Sequence, residues 1–511
     1  MAVLAVLLGG MAAAQMPVAY VYVAQTDPAT SQPFPSQPIY AFSVTPDGKV
    51  TPVAGSPFTQ ISGQMVGTTG SHFITRAYGG NLSGGEVPLN YLYSYDVAAN
   101  GAIGQQVSEI NTQLYGGSNC SGAQGSNWPD DAELDHTGRF VYVTYCSNAV
   151  QTYALSSAGD LTFKNVSTYS DATSGLPKLT GNDAFGYNQT VINGQYGPVG
   201  AFSGFARESD GSLLSIGTPS VTGPSLPSDD FDSLAVSNYY SQYGYFNAPK
   251  VMLTNNPTDH LAAMLTILKF TAPDTVSNEG CALASFTVGS QGELTSTNSY
   301  DNMPSGCGND MVLSPSGKYL AVLPYDGKSL QLYHFNGSNP ITYFTQVAGA
   351  AGWFSTMAWD SSNHLYALDG QSGQLHIYTV TSSSVSEAPG SPYSVPICPY
   401  DTQDNIPGCS QKLVVHSVPA CTAPSGNGVN VCTPDMNTTT TSPVIVDAAA
   451  TVSGGVYRFE LWNGSTKLLT VRDSGIMNQS VSLASGTYKL TFSAYNSSGT
   501  HVYATRDITV K

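Results

Sequence analysis

The chain has 511 residues and a net charge of −17, and only 10% of its residues are charged, whereas Gly (52), Tyr (31) and Pro (31) are abundant. This length exceeds what one hydrophobic core usually holds, so we expect at least two domains. The excess of 34 acidic over 17 basic residues argues against nucleic acid or an anionic membrane as a partner. The glycine, proline and tyrosine content favours strands joined by turns.

The chain starts with an apolar stretch, residues 1–14, that ends in Ala12-Ala13-Ala14. A small-residue ending after an apolar run predicts a secretory signal peptide, and a buried N-terminal strand is the alternative. No other apolar run approaches about 18 residues, so we predict no membrane span. We therefore expect a secreted, periplasmic or cell-surface protein, and we expect a monomer.

The clearest structural unit covers residues 309–344, where four short apolar runs are separated by turns at Ser314–Gly317, Asp326-Gly327 and Asn336-Gly337. Proline and glycine supply the backbone angles that such turns need. Four antiparallel strands in about 40 residues form one blade of a β-propeller when the unit recurs.

The unit does recur, and two series of turns count its copies. We call the turn between the first and second strands the inner turn, and the turn between the third and fourth strands the outer turn. Inner turns are predicted at Gly70, Gly138, Asn182, Asp259, Gly317 and Asn363. Outer turns are predicted at Gly48, Gly101, Gly159, Gly211, Gly292, Gly337 and near Ser383.

There are six inner turns and seven outer turns, and this difference predicts how the ring of propeller blades closes. The first copy begins at its second strand, Ala19–Val23, and one strand is left over at the far end, Lys412–Val418. Pairing these two segments removes the open sheet edges. The sequence therefore predicts an all-β fold, with a seven-bladed β-propeller over residues 15–418.

Several motifs in this region resemble the lactonase-like, or YVTN-type, seven-bladed propellers of secreted bacterial proteins. They are Tyr20-Val21-Tyr22-Val23, Ile39–Val44 with Asp47-Gly48, Gly55–Phe58 and Gly390–Tyr393. The resemblance covers roughly residues 18–418. Because these motifs are strands and turns, they imply the fold, and the family name alone implies lactone hydrolysis.

The long segments of the propeller are expected on one face. In a propeller, the loops between the second and third strands share one face with the connections between blades, and we call it the long-loop face. The long segments assigned to it are Gln25–Pro38, Tyr78–Asn90, Tyr115–Asp130, Val221–Pro249, Thr271–Gly280 and Pro392–Gln411. Loops of such length usually have a functional role. The alternative is that they lengthened by sequence drift and have no function.

After Val418 the composition changes to a Ser/Thr/Pro/Gly-rich linker, residues 419–441, which is followed by a second all-β module over residues 442–511. In this module, Gly486–Leu490 resembles the tyrosine corner of immunoglobulin-like (Ig-like) sandwiches. We expect an Ig-like β-sandwich that serves as a spacer or adhesion module.

One segment of the module also shows the alternation of a half-buried strand. Tyr457, Phe459 and Leu461 alternate there with Arg458 and Glu460.

Eight cysteines support export from the cell. Two pairs with a spacing of 26 residues and two pairs with a spacing of 11 residues predict four local disulfides: Cys120–Cys146, Cys281–Cys307, Cys398–Cys409 and Cys421–Cys432. The chain contains no Cys-x-x-Cys motif, which argues against a zinc site.

Histidine is the first side chain to consider for catalysis near neutral pH. His72, His260 and His364 follow inner turns, where we expect exposed side chains without a role. The remaining histidines considered are His136, within an inner turn, and the strand residues His334, His376 and His416, which we expect to be packed or solvent-facing rather than ligands.

Carboxylates and aromatic residues supply the candidate ligand-binding side chains, all on the long-loop side or near the axis: Trp128, Asp130, Asp131, Asp230, Asp232, Tyr240, Tyr243 and Asp310. Asp131 and Asp310 hold equivalent positions, at the axis-facing start of a first strand. Aspartates there suit Ca²⁺, a polar ligand, or hydrogen bonds to the amides that connect blades. Because no DxDxDG loop occurs, we predict no cofactor and keep Ca²⁺ as the alternative.

Two functions from different classes follow. The first is a non-enzymatic propeller that binds a carbohydrate, a peptide or another polar partner through the long-loop face. The second is a lactone hydrolase acting at the axis, which needs an acid/base pair or a metal-held water. The axis positions assigned here contain carboxylates without a histidine or arginine partner, so the binding function is preferred.

Overall fold

The computed structural model describes residues 17–26, 38–78, 90–112, 132–145, 149–168, 176–194, 197–217, 221–222, 251–253, 260–272, 275–303, 308–324, 326–335, 341–348, 353–396, 400–401, 406–407, 410–418, 421–440, 442, 444–472 and 475–511. Contacts divide this part of the chain into two units, with Ala19–Ser417 in one and Val418–Lys511 in the other. Its regular elements are all strands, as predicted. Within the same residues, no helix has the length and apolar character that crossing a membrane requires.

The first unit contains strands β1 to β32. The first fifteen are β1 (Ala19–Thr26), β2 (Ile39–Val44), β3 (Val50–Pro52), β4 (Gln64–Thr68), β5 (His72–Tyr78), β6 (Asn90–Val97), β7 (Ile103–Asn111), β8 (Ala132–Leu134), β9 (Phe140–Tyr145), β10 (Ala149–Leu155), β11 (Leu161–Thr168), β12 (Lys178–Leu179), β13 (Phe185–Gly194), β14 (Gly197–Arg207) and β15 (Leu213–Gly217). The others are β16 (Val221–Thr222), β17 (Val251–Leu253), β18 (His260–Ala272), β19 (Thr275–Val288), β20 (Leu294–Asn302), β21 (Gly308–Leu313), β22 (Tyr319–Pro324), β23 (Ser329–His334), β24 (Thr342–Ala348), β25 (Phe354–Trp359), β26 (His364–Asp369), β27 (Gln374–Val380), β28 (Val385–Glu387), β29 (Tyr393–Ser394), β30 (Tyr400–Asp401), β31 (Ile406–Pro407) and β32 (Ser410–Ser417).

These strands form a succession of small sheets, which we number by their place in the chain. In the described residues, sheet 1 is β32-β1-β2-β3, sheet 2 is β4 to β7, sheet 3 is β8 to β11, sheet 4 is β12 to β15, sheet 5 is β16 to β20, sheet 6 is β21 to β24 and sheet 7 is β25 to β29. First strands of neighbouring sheets touch: β32 contacts both β4 and β25, β4 contacts β8, β12 contacts β17, and β21 contacts β17 and β25. Small antiparallel sheets whose first strands succeed one another in this way form a β-propeller.

The predicted pairing of the two ends of the propeller is confirmed. β1 lies between β2 and β32 in sheet 1, with Ala19 opposite Ser417 and Tyr22 opposite Val414. The ring is therefore closed by a strand from the far end of the chain, and β1 has no open edge.

The inner turns share a hydrogen bond that explains their sequences. A side-chain oxygen at the start of the turn accepts the N–H of the first residue of the second strand, in the pairs Thr69–His72, Asp135–Phe140, Thr180–Phe185, Ser314–Tyr319 and Asp360–His364. Ser, Thr and Asp favour turns because they make such bonds. In the inner turn of the fourth sheet the positive φ lies at Asp183 (57°), one residue after the predicted Asn182. Asp259 lies outside the described residues.

The expectation that His72, His260 and His364 are exposed is wrong. His72 and His364 are 5% and 1% exposed, and His260 is half-buried. They occupy the position filled by Phe140 and Tyr319 in other sheets, which is an aromatic packing position. An imidazole ring fits there because its flat shape resembles that of a phenyl ring.

The same aromatic position explains four of the outer-turn glycines. A Cβ placed on the glycine would come under 3.0 Å from a ring of the preceding sheet in the pairs Gly101–Tyr20, Gly159–His72, Gly211–Phe140 and Gly292–Phe185. We call each such contact between neighbouring sheets a seam. In three seams the tyrosine two residues after the aromatic ring donates a hydrogen bond to the carbonyl of the same glycine: Tyr22 to Gly101 (3.0 Å), Tyr142 to Gly211 (2.8 Å) and Tyr187 to Gly292 (2.9 Å). Gly337 lies outside the described residues.

The long segments of the propeller are described only in part. The predicted loop Thr271–Gly280 is wrong, because β18 and β19 continue as a hairpin to Ala272 and from Thr275. Strand pairing extends there because Val276 and Phe270 continue the alternating, β-prone sequence. Most of the other long segments lie outside the described residues, as do residues 1–14.

The second unit contains two sheets around one core. Its strands are β33 (Gly428–Thr433), β34 (Thr438–Thr440), β35 (Val444–Thr451), β36 (Arg458–Asn463), β37 (Thr466–Arg472), β38 (Ile476–Val481), β39 (Gly486–Tyr495) and β40 (His501–Val510). One sheet has the order β33-β35-β38 and the other β34-β40-β39-β36-β37. Val446 and Met477 of the first sheet share a cluster of buried side chains with Phe459 and Phe492 of the second.

Two expectations about this unit need correction. Residues 419–441 are not simply a linker, because β33 pairs with β35 and β34 with β40. Glu460 is 5% exposed and Tyr457 is 42% exposed, so burial does not follow the predicted alternation. The carboxylate of Glu460 is buried because Trp462 and Lys467 hydrogen-bond to it.

The disulfide between Cys421 and Cys432 is present, as their spacing predicts. Cys281 is also disulfide-bonded, and its partner lies outside the described residues. The other predicted partners lie outside them as well.

For the untested pairs we expect peptide mapping under non-reducing conditions to find Cys120–Cys146, Cys281–Cys307 and Cys398–Cys409. Cysteines close in sequence pair readily because a short loop costs little entropy to close. A crosslink from any of these cysteines to Cys421 or Cys432 would contradict the set.

Candidate functional site

The structure describes only one of the predicted ligand-binding residues, and their role stays a prediction. Asp310 lies in β21, is half-buried, and its Oδ1 accepts a hydrogen bond from the N–H of Met311 at 3.0 Å. The others, Trp128, Asp130, Asp131, Asp230, Asp232, Tyr240 and Tyr243, lie outside the described residues. Whether a second predicted residue lies beside Asp310 therefore stays a prediction.

On the side of the inner turns, charged groups link sheets 3 and 4. His136 Nδ1 lies 2.7 Å from Asp183 Oδ1, and Arg207 Nη2 lies 3.0 Å from Asp135 Oδ2. The guanidinium of Arg207 also lies over the ring of Phe140, 4.9 Å from its centroid. Asp183 and Asp135 are buried, so these contacts offset part of the cost of burying their carboxylates. Asp183 Oδ2 has no hydrogen-bond partner among the described residues. The contacts between sheets 3 and 4 therefore explain why these charged side chains are present.

The His136–Asp183 contact makes the stability of the propeller depend on pH. Burial by itself lowers the pKa of His136, but the hydrogen bond and the charge of Asp183, together with the charges of Glu133 and Asp135, outweigh it, and the pKa is raised. A histidine whose pKa is higher in the folded than in the unfolded protein stabilises the folded state when it is protonated. This stabilisation is complete below the unfolded-state pKa of about 6.5 and is lost as the pH rises through the folded-state pKa.

We therefore expect the wild type to exceed His136→Gln in Tm most at about pH 5.5, and the difference to shrink toward about pH 8.5. Thermal unfolding of both proteins across this range measures it. A difference that stays constant or grows with pH would contradict the pairing.

The long-loop face has a different cluster, at the loop between β26 and β27 of sheet 7. Asp369 ends β26, and its Oδ1 accepts the N–H groups of Gln371 (2.9 Å) and Ser372 (3.1 Å). Asp369 Oδ2, Ser372 Oγ and His376 Nε2 are buried and have no hydrogen-bond partner among the described residues. We call these three side chains the Asp369 cluster.

The register of sheet 7 places the two titratable members of the cluster near each other. Asp369 lies opposite Gln374 and Ala367 lies opposite His376, so Asp369 and His376 share one face as diagonal neighbours. Diagonal neighbours in a sheet have Cα atoms about 7 Å apart. Phe354 packs on the same side, with its ring 5.6 Å from that of His376.

The orientation of His376 is set by a carboxylate. Its Nδ1 lies 2.8 Å from Glu387 Oε1, which also accepts a hydrogen bond from Ser391 Oγ at 2.8 Å. With Nδ1 donating to Glu387, Nε2 of the neutral ring is an acceptor. The ring is therefore held in one tautomer, with its second nitrogen unpartnered within the described residues.

A residue with an exposed aromatic ring is bonded through its backbone to the loop of the cluster. Trp353 is 42% exposed, and a Cβ placed on Gly327 would come 3.1 Å from its indole. The carbonyl of Trp353 accepts the N–H of Gly370 at 2.9 Å, next to Asp369. Gln411 of β32 donates a hydrogen bond to the carbonyl of Gly370 at 3.4 Å. Residues of sheets 6, 7 and 1 therefore all lie near the loop that holds Asp369 and Gly370.

Sequence reasoning missed the Asp369 cluster. It weighed His376 only as a strand residue and did not consider Asp369. The signal was present in Asp369-Gly370-Gln371-Ser372-Gly373, a polar turn on the long-loop side that starts with an aspartate. What the sequence lacks is any mark that one oxygen of this aspartate stays unpaired.

No protein-family model matches the chain, and no curated protein sequence matches it. A periplasmic gluconolactonase of Pseudomonas aeruginosa is 14% identical, covering 78% of this chain and 100% of its own, with a TM-score of 0.47. A putative 6-phosphogluconolactonase of Bacteroides fragilis is 10% identical, covering 78% and 98%, with a TM-score of 0.44. The β-propeller domain of Cps50 (Swd1) from Myceliophteria thermophila is 10% identical, covering 66% and 88%, with a TM-score of 0.40. At such identities a shared substrate does not follow.

Proposed function

We propose that this chain is a secreted, periplasmic or cell-surface protein that binds a polar ligand through the long-loop face of a seven-bladed β-propeller. The observation that carries the proposal is the Asp369 cluster, with its three buried polar atoms that lack a partner among the described residues. A buried polar atom left unpaired costs about 1–3 kcal/mol. A ligand that bonds to these atoms would recover that free energy after a rearrangement that opens the site, since Asp369 and His376 are buried.

The chemistry of the cluster favours a ligand with hydroxyl or amino groups. An ionised carboxylate oxygen and the acceptor nitrogen of His376 both need hydrogen-bond donors, while Ser372 can donate or accept. Trp353, whose backbone is bonded to the same loop, offers an exposed flat apolar ring. Together these features suit a carbohydrate first, and then a peptide.

The domain arrangement is part of the same proposal. The seven sheets of the described residues support seven blades over residues 15–418. The shared core of the second unit, together with the 2.7 Å hydrogen bond from Tyr488 Oη to the carbonyl of Ala484, supports an Ig-like sandwich. In this proposal the second unit is a spacer or adhesion module.

A panel of neutral saccharides, screened by thermal shift, tests the proposal. We expect at least one saccharide to raise the Tm of the propeller, because a ligand that binds the folded state stabilises it by mass action. Asp369→Asn and His376→Gln should abolish that rise, because each changes an acceptor of the cluster. The matched control is Asp326→Asn, an exposed aspartate in the corresponding loop of sheet 6, which should leave the rise unchanged. A panel without any shift, or a shift that survives both cluster substitutions, would refute this binding site.

A second candidate is the hydrolysis of lactones, and the His376–Glu387 pair favours it. A histidine whose Nδ1 is held by a carboxylate while its Nε2 stays unpartnered has the arrangement of a general base. The side chain of His376 is 2% exposed, so a substrate reaches it only after a rearrangement. The same burial applies to a bound ligand, so it does not separate the two candidates. Hydrolysis stands second because it also needs a water held for attack by a metal or by a second acid/base group.

The two candidates separate in one assay. We expect a panel of lactones to show no efficient turnover by the purified protein, and Asp131→Asn, Asp310→Asn and His376→Gln to change nothing. Strong turnover that one of these substitutions destroys would favour the hydrolase.

A further inference from the structure

The Asp369 cluster contains a buried carboxylate that has no cation beside it. Asp369 is fully buried, and it takes part in none of the ion pairs between described residues. Its neighbour His376 is bonded to a second carboxylate, that of Glu387. Burial, and then the charges of Glu387 and Asp369, raise the pKa of the nearby Tyr378, so the electrostatic potential in this region is negative. A buried charge is normally paired with an opposite one, and the described residues do not supply it.

The members of the cluster lie close together. Phe354 of β25 is the register partner of Asp369, and its ring lies 5.6 Å from that of His376. The backbone nitrogen of Ser372 lies 3.1 Å from Asp369 Oδ1. The three atoms without a partner among the described residues, Asp369 Oδ2, Ser372 Oγ and His376 Nε2, therefore belong to one small region at the long-loop end of sheet 7.

All three of these atoms can accept a hydrogen bond, and a primary ammonium group has three N–H donors. The carboxylate oxygen and the hydroxyl oxygen accept, and His376 Nε2 accepts while Nδ1 donates to Glu387. A protonated primary amine would therefore satisfy the three acceptors and pair with the buried carboxylate at the same time. A sugar hydroxyl offers one donor and no charge.

The charge of the propeller also favours a cation. Residues 1–418 contain 29 acidic and 11 basic residues, so this part of the chain attracts cations and repels anions. A metal ion fits the cluster less well than an amine. The cluster offers one carboxylate and one imidazole, and within the described part of the chain no group of three or more His, Cys, Asp and Glu side chains could hold a metal ion.

We propose that the Asp369 cluster binds the protonated primary amine of an amino sugar, which rests on the binding function proposed above and narrows it. The exposed ring of Trp353, whose carbonyl accepts the N–H of Gly370, supports the sugar part, because an aromatic ring can pack on the CH face of a sugar. Burial supports the amine part. Asp369 and His376 are buried, and a single tetrahedral nitrogen reaches them through a smaller opening than a whole sugar ring needs.

The test is isothermal titration of the full chain with D-glucosamine at about pH 7, where an aliphatic amine is protonated. D-Glucose and N-acetyl-D-glucosamine are the neutral comparisons, at the same salt concentration. We expect glucosamine to bind at least about tenfold more tightly than either, because hydrogen bonds to charged groups are the stronger ones. n-Propylammonium, which has the amine without the sugar, should bind at least about tenfold more weakly than glucosamine.

Asp369→Asn removes the charge and should weaken glucosamine binding at least about tenfold. Ser372→Ala removes one acceptor and keeps the charge, so its loss should be smaller, and it tests the site even where Asp369→Asn does not fold. The matched control is Asp326→Asn, an exposed aspartate in the corresponding loop of sheet 6, which should leave the affinity unchanged. Circular dichroism verifies the fold of each variant.

Several outcomes would overturn the proposal. They are glucosamine that binds no more tightly than glucose, glucosamine binding that survives both Asp369→Asn and Ser372→Ala, and equal affinities for n-propylammonium and glucosamine. Another is Ca²⁺ or Zn²⁺ that raises the Tm of the wild type and not that of Asp369→Asn, because the cluster would then hold a metal ion. A neutral saccharide whose binding depends on Asp369, without a preference for glucosamine, would refute the amine and leave the proposed binding site intact, so the two proposals fail separately.

Discussion

Gly211→Ala is expected to lower the free energy of unfolding of the propeller by about 4 kcal/mol, the combined size of a left-handed backbone penalty and of overpacking. Gly211 has a φ of 87°, where an L side chain is strained. Its added Cβ would also come under 3.0 Å from the ring of Phe140, which is 4% exposed and packed in the seam between sheets 3 and 4. The seam would have to open, and the hydrogen bond from Tyr142 to the Gly211 carbonyl would be disturbed.

Gly217→Ala is the matched control for this substitution. Gly217 belongs to the same sheet, has a φ of 78°, and has no heavy atom within 4 Å of an added Cβ. Its cost should therefore be the backbone penalty alone, about 1–2 kcal/mol. Chemical denaturation of both variants and the wild type measures the two costs. Equal costs would mean that the aromatic seam does not hold the sheets together as described.

Removal of the closing strand is expected to have a still broader effect, although its size is harder to state in kcal/mol. A chain that ends after residue 409 lacks β32, so the edge of β1 in sheet 1 loses its pairing partner. The apolar cluster that joins sheets 7 and 1 loses Leu413, which packs there with Val21 and Leu368. We expect this chain to lose its cooperative unfolding transition and to aggregate, because the edge of β1 becomes exposed together with the apolar side chains that packed against Leu413.

The control is a chain that ends at Val418, which keeps β32 and lacks the second unit. It should unfold in a single cooperative transition near that of the full propeller. The prediction fails if the chain that ends after residue 409 melts like the chain that ends at Val418. Circular dichroism in the near ultraviolet, where buried tyrosines report packing, follows both transitions.

The Asp369 cluster shows why the candidate site was out of reach of the sequence. Asp369-Gly370 is a common turn sequence, and His376 follows it in an ordinary alternating strand. Their importance depends on which hydrogen bonds remain unmade, and that depends on neighbours such as Glu387 and Phe354, which only the folded sheet brings close. The predicted acidic and aromatic residues of the long loops remain untested, so Asp310 is the one predicted member for which surroundings are known.

The sequence by itself determined the local architecture. Turn residues such as Gly317 and Asn363 fix hairpins through backbone conformations that few residues adopt, and strand alternation needs only nearest neighbours. The count of turns also predicted the pairing of β1 with β32. It left these two segments without a partner strand, and in a closed ring they complete one sheet by pairing with each other. Tertiary structure alone decided the environment of side chains. It buried His72 and His364 in aromatic positions, placed Glu460 under Trp462 and Lys467, and drew β33 into a sheet instead of a linker. Burial and pairing depend on contacts between residues far apart in the chain, and these contacts have no counterpart in local sequence.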